Sequence, residues 1–212
     1  MRQVEVMGNK YLSSDKVMAI ARIPVGENIF LVDLDETENR FSSIIQIKSI
    51  RFKRKLPDRI IINVSERTPF AMAVIGDVPA LIDEDGCIIA RKNLQASIYL
   101  SDIASLPAIR GISKRSIEEG KRLNSSDRVF IKNSINLLSK FLNLRTVQID
   151  IGNREDIIVY VEDIMRARIG DYSNIEKKVN VLKALLNSMA GKWQKIAYID
   201  VRVPDNPVIK FD

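Results

Sequence analysis

Apolar and polar residues alternate over positions 59–66, which predicts a β-strand with one fully buried face. Ile60, Ile62 and Val64 occupy that face, because successive side chains of a strand point to opposite sides. A second apolar run at 70–75 predicts another strand after a short charged break. The simplest interpretation is that one domain closes with a strand and the next domain opens with one.

The break between the two strands contains Glu66, Arg67 and Pro69. Pro69 has no amide hydrogen for strand pairing, and it favours an extended conformation at the residue before it. We interpret Glu66 and Arg67 as a structural ion pair at an interdomain junction; the alternative is a catalytic pair. Because the break is short, we expect two domains, 1–67 and 68–212, whose mutual orientation is restricted.

The first domain shows the pattern of two helices enclosed by strands. Asp35 and Glu38 have the spacing of a capping box at the start of the second helix. The predicted elements are strands at 2–7, 46–55 and 59–66 and helices beginning near Ser13 or Ser14 and near Asp35. This β-α-α-β-β order predicts two helices against one face of a three-stranded sheet.

The second domain is predicted to be larger and mixed. Ser173 and Glu176 have capping-box spacing, and Leu106-Pro107 makes residues 92–113 irregular. The predicted elements are strands at 70–75, 79–83, 87–91, 145–151, 157–162, 165–169, 196–203 and 208–211, and long helices from Ser126 and from Ser173. The fold class is therefore α+β, with the small domain followed by a mixed α/β domain whose curved sheet is flanked by helices.

The composition removes several classes of catalytic site. Histidine is absent and Cys87 is the single cysteine, which excludes histidine bases, histidine zinc ligands and Ser-His or Cys-His pairs. Cys87 lies in an apolar run and is predicted to be buried. The acidic segment 83–86 predicts a hairpin turn rather than a calcium site. With no phosphate-binding loop either, we predict no enzymatic site, no metal and no cofactor.

The net charge of +6 is concentrated at positions 51–59. Arg51, Lys53 and Lys55 alternate there with apolar residues, which is typical of the solvated face of a strand. An anionic membrane surface or an acidic partner is the second interpretation of this run. Nucleic acid is the third, and it rests on charge alone. No apolar run of the sequence is long enough to cross a membrane.

A set of segments occurs in a recognisable order along the chain, at 4–9, 26–34, 54–58, 62–71, 81–86, 106–111 and 198–203. The most specific are 66–69 and 198–202. Together they resemble the extracytoplasmic part of the FtsQ/DivIB family of bacterial cell-division proteins, in which the first domain is similar to a POTRA domain.

The resemblance implies a divisome assembly factor without catalytic activity, whose partners are FtsB-like and FtsL-like coiled-coil division proteins. The POTRA domain would contact further division proteins. The resemblance also implies that a short cytoplasmic tail and one transmembrane helix precede these residues. Both domains would then lie on the extracytoplasmic side of the cell membrane.

We predict a partner-binding site on the C-terminal strands. Val208, Ile209 and Phe211 are more apolar than an exposed tail requires, and the last strand of a sheet built by sequential addition lies at an edge. An edge strand accepts a partner segment as an additional strand. Carried over by position from the resemblance, the contact residues are Val203, Pro204, Asp205 and Phe211. The alternative is that these strands only complete the core.

A different function class remains open at this point, a POTRA-containing chaperone or scaffold of protein translocation or outer-membrane assembly. Such proteins usually carry several POTRA domains in tandem, followed by the strands of a barrel. Here the remainder of the chain predicts amphipathic helices and mixed strands instead, which favours the division role.

The short junction gives a first testable expectation. Because only a charged, proline-containing break separates the strands at 59–66 and 70–75, small-angle scattering should fit a narrow distribution of interdomain angles. Widely different angles among crystal forms, or scattering that requires a broad ensemble, would count against a restricted junction.

Overall fold

The computed structural model describes residues 2–75, 78–91, 98–112, 118–141, 147–161, 165–189 and 195–211. The chain divides into two compact units, a first domain at Met1–Thr68 and a second domain at Pro69–Asp212. Each unit combines helices with a sheet, which confirms the predicted α+β class.

The first domain has the predicted order of elements. These are β1 (Gln3–Met7), α1 (Ser14–Ala21), α2 (Leu34–Phe41), β2 (Ile47–Lys55) and β3 (Arg59–Glu66). Strand β3 lies in the centre of the sheet, parallel to β1 and antiparallel to β2. The alternation predicted for β3 is confirmed, because Ile60, Ile62 and Val64 are all buried. Ile62 and Val64 pack with Val17 of α1 and Phe41 of α2, so both helices cover one face of the sheet.

The start of α1 confirms a predicted cap, whereas the start of α2 corrects one. The hydroxyl of Ser13 accepts a backbone N–H from the first turn of α1 at 3.2 Å. In α2 the capping residue is Asp33, whose carboxylate accepts the N–H of Glu36 at 2.9 Å, and not Asp35. An aspartate is followed three residues later by a glutamate at both positions, so the spacing alone does not fix where this helix begins.

The carboxylate of Glu66 holds the loop that follows β1. It accepts the backbone N–H groups of Lys10, Tyr11 and Leu12 at 3.0, 2.6 and 2.9 Å. Three successive amides therefore point at one side chain, which satisfies donors that lie outside the strand pairing. Glu66 thus acts within the first domain, on the segment that leads into α1.

The described part of the second domain contains a nine-stranded sheet and three helices. The strands are β4 (Pro69–Ile75), β5 (Val78–Asp83), β6 (Ile88–Arg91), β7 (Ala108–Arg110), β8 (Val147–Asp150), β9 (Ile157–Val161), β10 (Met165–Gly170), β11 (Ile196–Asp200) and β12 (Val208–Phe211). The helices are α3 (Leu100–Ile103), α4 (Ser125–Phe141) and α5 (Ile175–Ser188). The spatial order of the strands is β12-β11-β10-β9-β8-β7-β4-β5-β6.

Strand β7 joins the two halves of this sheet, although it lies in the range predicted to be irregular. It pairs in parallel with β4 on one side and with β8 on the other. Three residues are too few for a readable alternation, which is why the periodicity did not reveal the strand. Gly111 follows it with φ +84°, and a Cβ atom at this position would collide with the backbone nitrogen of Gly152. Glycine is therefore required where the ends of β7 and β8 approach each other.

The long helices α4 and α5 pack on the sheet with the predicted apolar stripes. The buried positions are Ile131, Ile135 and Leu138 of α4 and Val179, Leu182 and Leu186 of α5. The capping box predicted at Ser173 is wrong, because Asn174 is the capping residue and makes no side-chain hydrogen bond.

The hydroxyl of Ser173 donates instead to the carboxylate of Asp171 at 2.6 Å. The same carboxylate accepts a hydrogen bond at 2.7 Å from the ammonium group of Lys178, which is buried on α5. The hydrogen bond from Lys178, followed by that from Ser173, lowers the pKa of Asp171 to about 2. Ser173 therefore helps to hold this ion pair rather than the end of the helix.

The three amides on Glu66 give a stability prediction. Glu66→Ala should lower the free energy of unfolding by about 2–4 kcal/mol, because hydrogen bonds to a charged acceptor are lost and part-buried donors are left without it. Urea unfolding followed by circular dichroism measures the change. The matched control is Glu36→Ala on α2, which removes only an exposed ion pair with Arg40 and should change the free energy by less than about 0.5 kcal/mol. Equal losses in the two variants would contradict the assigned role.

Candidate partner-binding edge

Strand β12 lies at one end of the nine-stranded sheet. Among the described residues it pairs only with β11, antiparallel, with Ile199 opposite Ile209 and Asp200 opposite Val208. Within the described part of the chain, the edge position predicted for residues 208–211 is confirmed. One side of β12 therefore presents backbone N–H and C=O groups to which no described strand binds.

At the opposite end of the sheet, the chain itself covers the start of β6. The N–H of Ile88 donates to the carbonyl of Lys121 at 2.9 Å, and the carbonyl of Ile88 accepts the N–H of Gly120 at 2.9 Å. Leu123 adds a hydrogen bond of 2.8 Å to the carbonyl of Gly86. The two edges of one sheet thus differ, because the segment 120–123 binds the backbone at the start of β6, at Gly86 and Ile88.

Large apolar side chains are exposed along the β12 edge and its preceding turn. Val203, Val208 and Phe211 have exposed fractions of 62%, 50% and 51%. Ile209, by contrast, packs against the core of the second domain and so attaches the strand to it. Exposed apolar side chains beside available backbone groups are typical of a surface that a partner covers.

Strand β11 ends at Asp200, whereas the sequence predicted a strand as far as residue 203. The carboxylate of Asp200 accepts the backbone N–H of Arg202 at 3.1 Å and the guanidinium Nε and Nη2 at 3.0 and 2.7 Å. A carboxylate that binds the backbone two residues further on favours a turn over continued strand pairing. Arg202 lies against Gly170, where a Cβ atom would be 2.9 Å from the Arg202 Cγ.

The Asp200–Arg202 pair remains charged at neutral pH. Burial by itself would raise the pKa of Asp200, but the hydrogen bonds and charge of Arg202, with the charge of Arg168, outweigh it and lower the pKa below its ordinary value of 3.8. The same hydrogen bond, followed by the charge of Asp200, raises the pKa of Arg202. The turn after β11 is therefore fixed by a two-pronged ion pair.

The predicted contact residues Pro204 and Asp205 lie in this turn, beside α5. The carboxylate oxygens of Asp205 accept hydrogen bonds from the ammonium group of Lys177 at 2.6 and 2.9 Å. A groove of about 390 Å³ opens at the turn, lined by Asp200, Arg202, Val203, Asn206 and Val208. The structure thus brings Val203 and Val208 to one groove, while Phe211 lies at the other end of β12, opposite Ile196.

The sequence did not single out Asp200, Arg202 or Lys177 as parts of this region. Asp200 and Arg202 stand two residues apart inside the specific segment 198–202, and this spacing was the available signal. Lys177 and Asp205 are far apart in the sequence, and no local pattern links the two residues.

The residues predicted at the junction belong to the ends of neighbouring elements. The N–H of Arg67 donates to the carbonyl of Gln46 at 2.7 Å, which extends the pairing of β2 with β3. Pro69 is the first residue of β4 and lies opposite Asp83. A restricted interdomain orientation stays a prediction from the sequence.

Cys87, the single cysteine, is buried in the second domain as predicted. Its N–H donates to the carboxylate of Asp83 at 2.7 Å within the hairpin turn that the sequence predicted at 83–86. Among the described residues, no three acidic or cysteine side chains are grouped so that they could hold a metal ion. No described helix is long and apolar enough to cross a membrane.

Family models match both domains of the chain. Residues 1–67 match the model described as "POTRA domain, FtsQ-type". Residues 73–202 match the model described as "Cell division protein FtsQ/DivIB, C-terminal". The second match covers more than half of the chain and includes β11 and the Asp200–Arg202 pair.

Curated relatives are similar to the chain over nearly its whole length. "Cell division protein DivIB" of Clostridium tetani is 27% identical over 213 residues, which cover 97% of this chain and 77% of the relative. "Cell division protein FtsQ" of Syntrophotalea carbinolica is 24% identical over 217 residues, with coverage of 99% and 73%. "Cell division protein DivIB" of Clostridium acetobutylicum is 27% identical over 210 residues, with coverage of 98% and 81%.

The turn after β11 gives a prediction with a pH dependence. Arg202→Ala should lower the free energy of unfolding by about 1–3 kcal/mol at neutral pH, because the largely buried Asp200 carboxylate loses its charged donor. The folded protein has a lowered pKa at Asp200, so this contribution is present above the ordinary pKa and is lost as the pH falls through the lowered pKa. Urea unfolding at neutral and at acid pH measures the change in the free energy of unfolding under each condition.

The matched control for Arg202→Ala is Lys177→Ala, which removes an exposed ion pair in the same region and should change stability by less than about 0.5 kcal/mol. The loss of unfolding free energy in Arg202→Ala should be smaller at acid pH than at neutral pH. The same loss at both pH values would show that the ion pair does not fix the turn.

Proposed function

Because the chain belongs to the FtsQ/DivIB family of cell division proteins, we propose that it acts in bacterial division as a binding and assembly factor without catalysis of its own. Membership of this family supports interaction with other proteins of the divisome. The proposal assigns that interaction to the β12 edge of the second domain.

The observation that carries the proposal is the difference between the two edges of the sheet. Segment 120–123 of the chain itself covers the start of β6 at Gly86–Ile88, whereas no described strand covers β12. Val208 and Phe211 are half exposed on the uncovered strand. A partner segment that pairs with β12 would gain backbone hydrogen bonds and cover both apolar side chains.

The proposed occupant is an extended segment of an FtsB-like coiled-coil division protein, which would bring an FtsL-like protein with it. Lys210 on β12 is an exposed cation that lies between Val208 and Phe211 in the sequence of the strand. We therefore expect the partner segment to alternate apolar residues with acidic ones. Val203 and Val208 in the groove at the turn would select the side chain at one end of that segment.

The proposed location is the cell membrane, with both domains on the extracytoplasmic side. A single transmembrane helix ahead of these residues would provide the anchor, as the resemblance of the sequence implies. The first domain would then contact further division proteins. The translocation alternative has weaker support, because residues 73–202 match a division-family model.

The experiment is a titration of the 212-residue protein with an FtsB-like partner from the same organism. Removal of residues 205–212 should abolish binding, since it deletes β12, while a thermal melt checks that the remainder is folded. Phe211→Ser and Val208→Ser should each weaken binding by about tenfold, because each removes a large apolar contact. The matched control is Val129→Ser on α4, where the side chain is similarly exposed at 54% and belongs to a different element.

Hydrogen exchange separates strand addition from side-chain contact alone. Pairing of a partner with β12 should slow the exchange of the amides at 208–211, because outward N–H groups become hydrogen-bonded. Undiminished binding by a folded truncation would refute the assignment to β12. Binding that leaves the exchange at 208–211 unchanged would refute the added strand.

A further inference from the structure

The loop between α1 and α2 exposes large apolar side chains on the first domain. Val25, Phe30 and Leu31 have exposed fractions of 67%, 67% and 77%. These values exceed those of the three apolar residues at the β12 edge. Neither the fold of the first domain nor the proposed partner site explains why this loop carries them.

Hydrogen bonds and buried neighbours hold this loop in a defined conformation, so the exposure of its apolar side chains is a property of the folded domain. The side chain of Asn28 accepts the N–H of Phe30 at 3.0 Å, and its carbonyl accepts the N–H of Leu31 at 3.0 Å. Ile29 and Val32, on either side of the exposed pair, are buried together with Ile60. Because their neighbours point inward, Phe30 and Leu31 are fixed in an outward position.

Arg54 of β2 attaches this loop to the β2–β3 hairpin. Its Nε donates to the carbonyl of Ile29 at 3.0 Å, and its Nη2 donates to the carbonyl of Val32 at 2.8 Å. Two residues further on, Leu56 in the hairpin turn is 62% exposed. Arg54 thus ties the loop to the strand that leads into this turn, and we call the exposed residues Phe30, Leu31 and Leu56 together the apolar tip.

Exposed basic residues follow strand β2 up to the hairpin turn that carries Leu56. Arg51, Lys53 and Lys55 are exposed on β2, on the sheet face opposite the helices, and none of them forms an ion pair with a described residue. Arg2 adds another largely exposed cation at the hairpin turn, where it lies 3.9 Å from the carboxylate of Asp58. Three acidic residues lie in or beside the same elements: Asp58 in the hairpin turn, Glu27 in the loop, and Glu5, which forms an ion pair with Arg59.

We propose that this tip docks against an anionic lipid bilayer, with Phe30, Leu31 and Leu56 entering the interface and the basic residues of β2 binding lipid headgroups. Apolar side chains at a tip gain free energy when they leave water for the headgroup region, and adjacent cations add electrostatic attraction to anionic lipid. The charge complementarity identifies the occupant, because the cations of β2 lack partners among the described residues. The interpretation of the basic run as a solvated strand face is thereby extended to a membrane-facing one.

The test is sedimentation of the 212-residue protein with vesicles of phosphatidylcholine, prepared with and without phosphatidylglycerol. We expect binding to the vesicles that contain the anionic lipid, and we expect added salt to weaken it because surface charges are screened. Phe30→Ser combined with Leu31→Ser should reduce the partition coefficient by about tenfold, since two apolar groups no longer enter the interface. Lys53→Glu combined with Lys55→Glu should reduce it by at least about tenfold, as each basic residue near such a surface contributes about fivefold.

Matched controls come from the second domain. Leu100→Ser with Val129→Ser removes two apolar side chains that are 54% exposed, and Lys183→Glu with Lys195→Glu makes the same change of charge on exposed lysines. Both control variants should bind the vesicles as the unchanged protein does. A thermal melt of every variant verifies folding.

Several outcomes would overturn the membrane assignment. One is that the unchanged protein does not bind the anionic vesicles, as an acidic protein partner for this tip would predict. Another is equal loss of binding in the tip variants and their controls. The tip variants should leave partner binding through β12 unchanged in solution, so the two proposals fail separately.

Discussion

An open β-sheet has two edge strands, and the outward backbone groups of each must find hydrogen-bond partners in the chain, in water or in another protein. This constraint organises the second domain. At the start of β6, residues 120–123 of the chain bind the backbone of Gly86 and Ile88. At β12 the described chain supplies no such cover, and exposed apolar side chains accompany the uncovered backbone. Among the described residues, the two edges thus differ in how far their backbone groups are bound within the chain.

Several charged side chains of this protein bind backbone groups that have no hydrogen-bond partner within a helix or a strand. Glu66 accepts three amides of the loop after β1, and Arg54 donates to two carbonyls of the loop before α2. Asp200 accepts an amide of the turn after β11. Each of these bonds shapes a loop rather than the sheet itself. The loop that Arg54 binds and the turn that Asp200 binds carry apolar groups for which we propose external partners, which links the internal hydrogen bonding to recognition.

The regular elements of the first domain could be predicted because each depends on a local pattern. The alternation over β3 puts Ile60, Ile62 and Val64 in the core, and a serine stands where α1 begins. Strand β7 could not be predicted in this way, because its three residues depend on neighbours on both sides for their pairing. Its position between β4 and β8 is a property of the whole sheet, which no window of sequence contains.

The candidate site also has parts that local sequence patterns predict and parts that only the fold determines. The apolar character of Val208 and Phe211 was visible in the sequence, and so was the proline-containing break before β12. The end of β11 at Asp200 was not, since apolar residues continue through Val201 and Val203. The same limit applies to Glu66, whose carboxylate accepts amides more than fifty residues earlier, which no local pattern of the sequence indicates. Charge patterns indicate that a side chain needs a partner, but the fold decides which partner it has.

Cys87 is a natural probe of local opening in the second domain. It is the only thiol of the chain, it is buried, and its neighbouring backbone is bridged to Arg122 in the segment that covers β6. A thiol reagent reacts with this buried group through locally opened states. Where opening and closing are faster than labelling, the labelling rate equals the fraction of molecules that are open at Cys87 multiplied by the intrinsic labelling rate of a free thiol. One unmodified protein therefore reports the local stability of its covered edge directly, without any engineered probe.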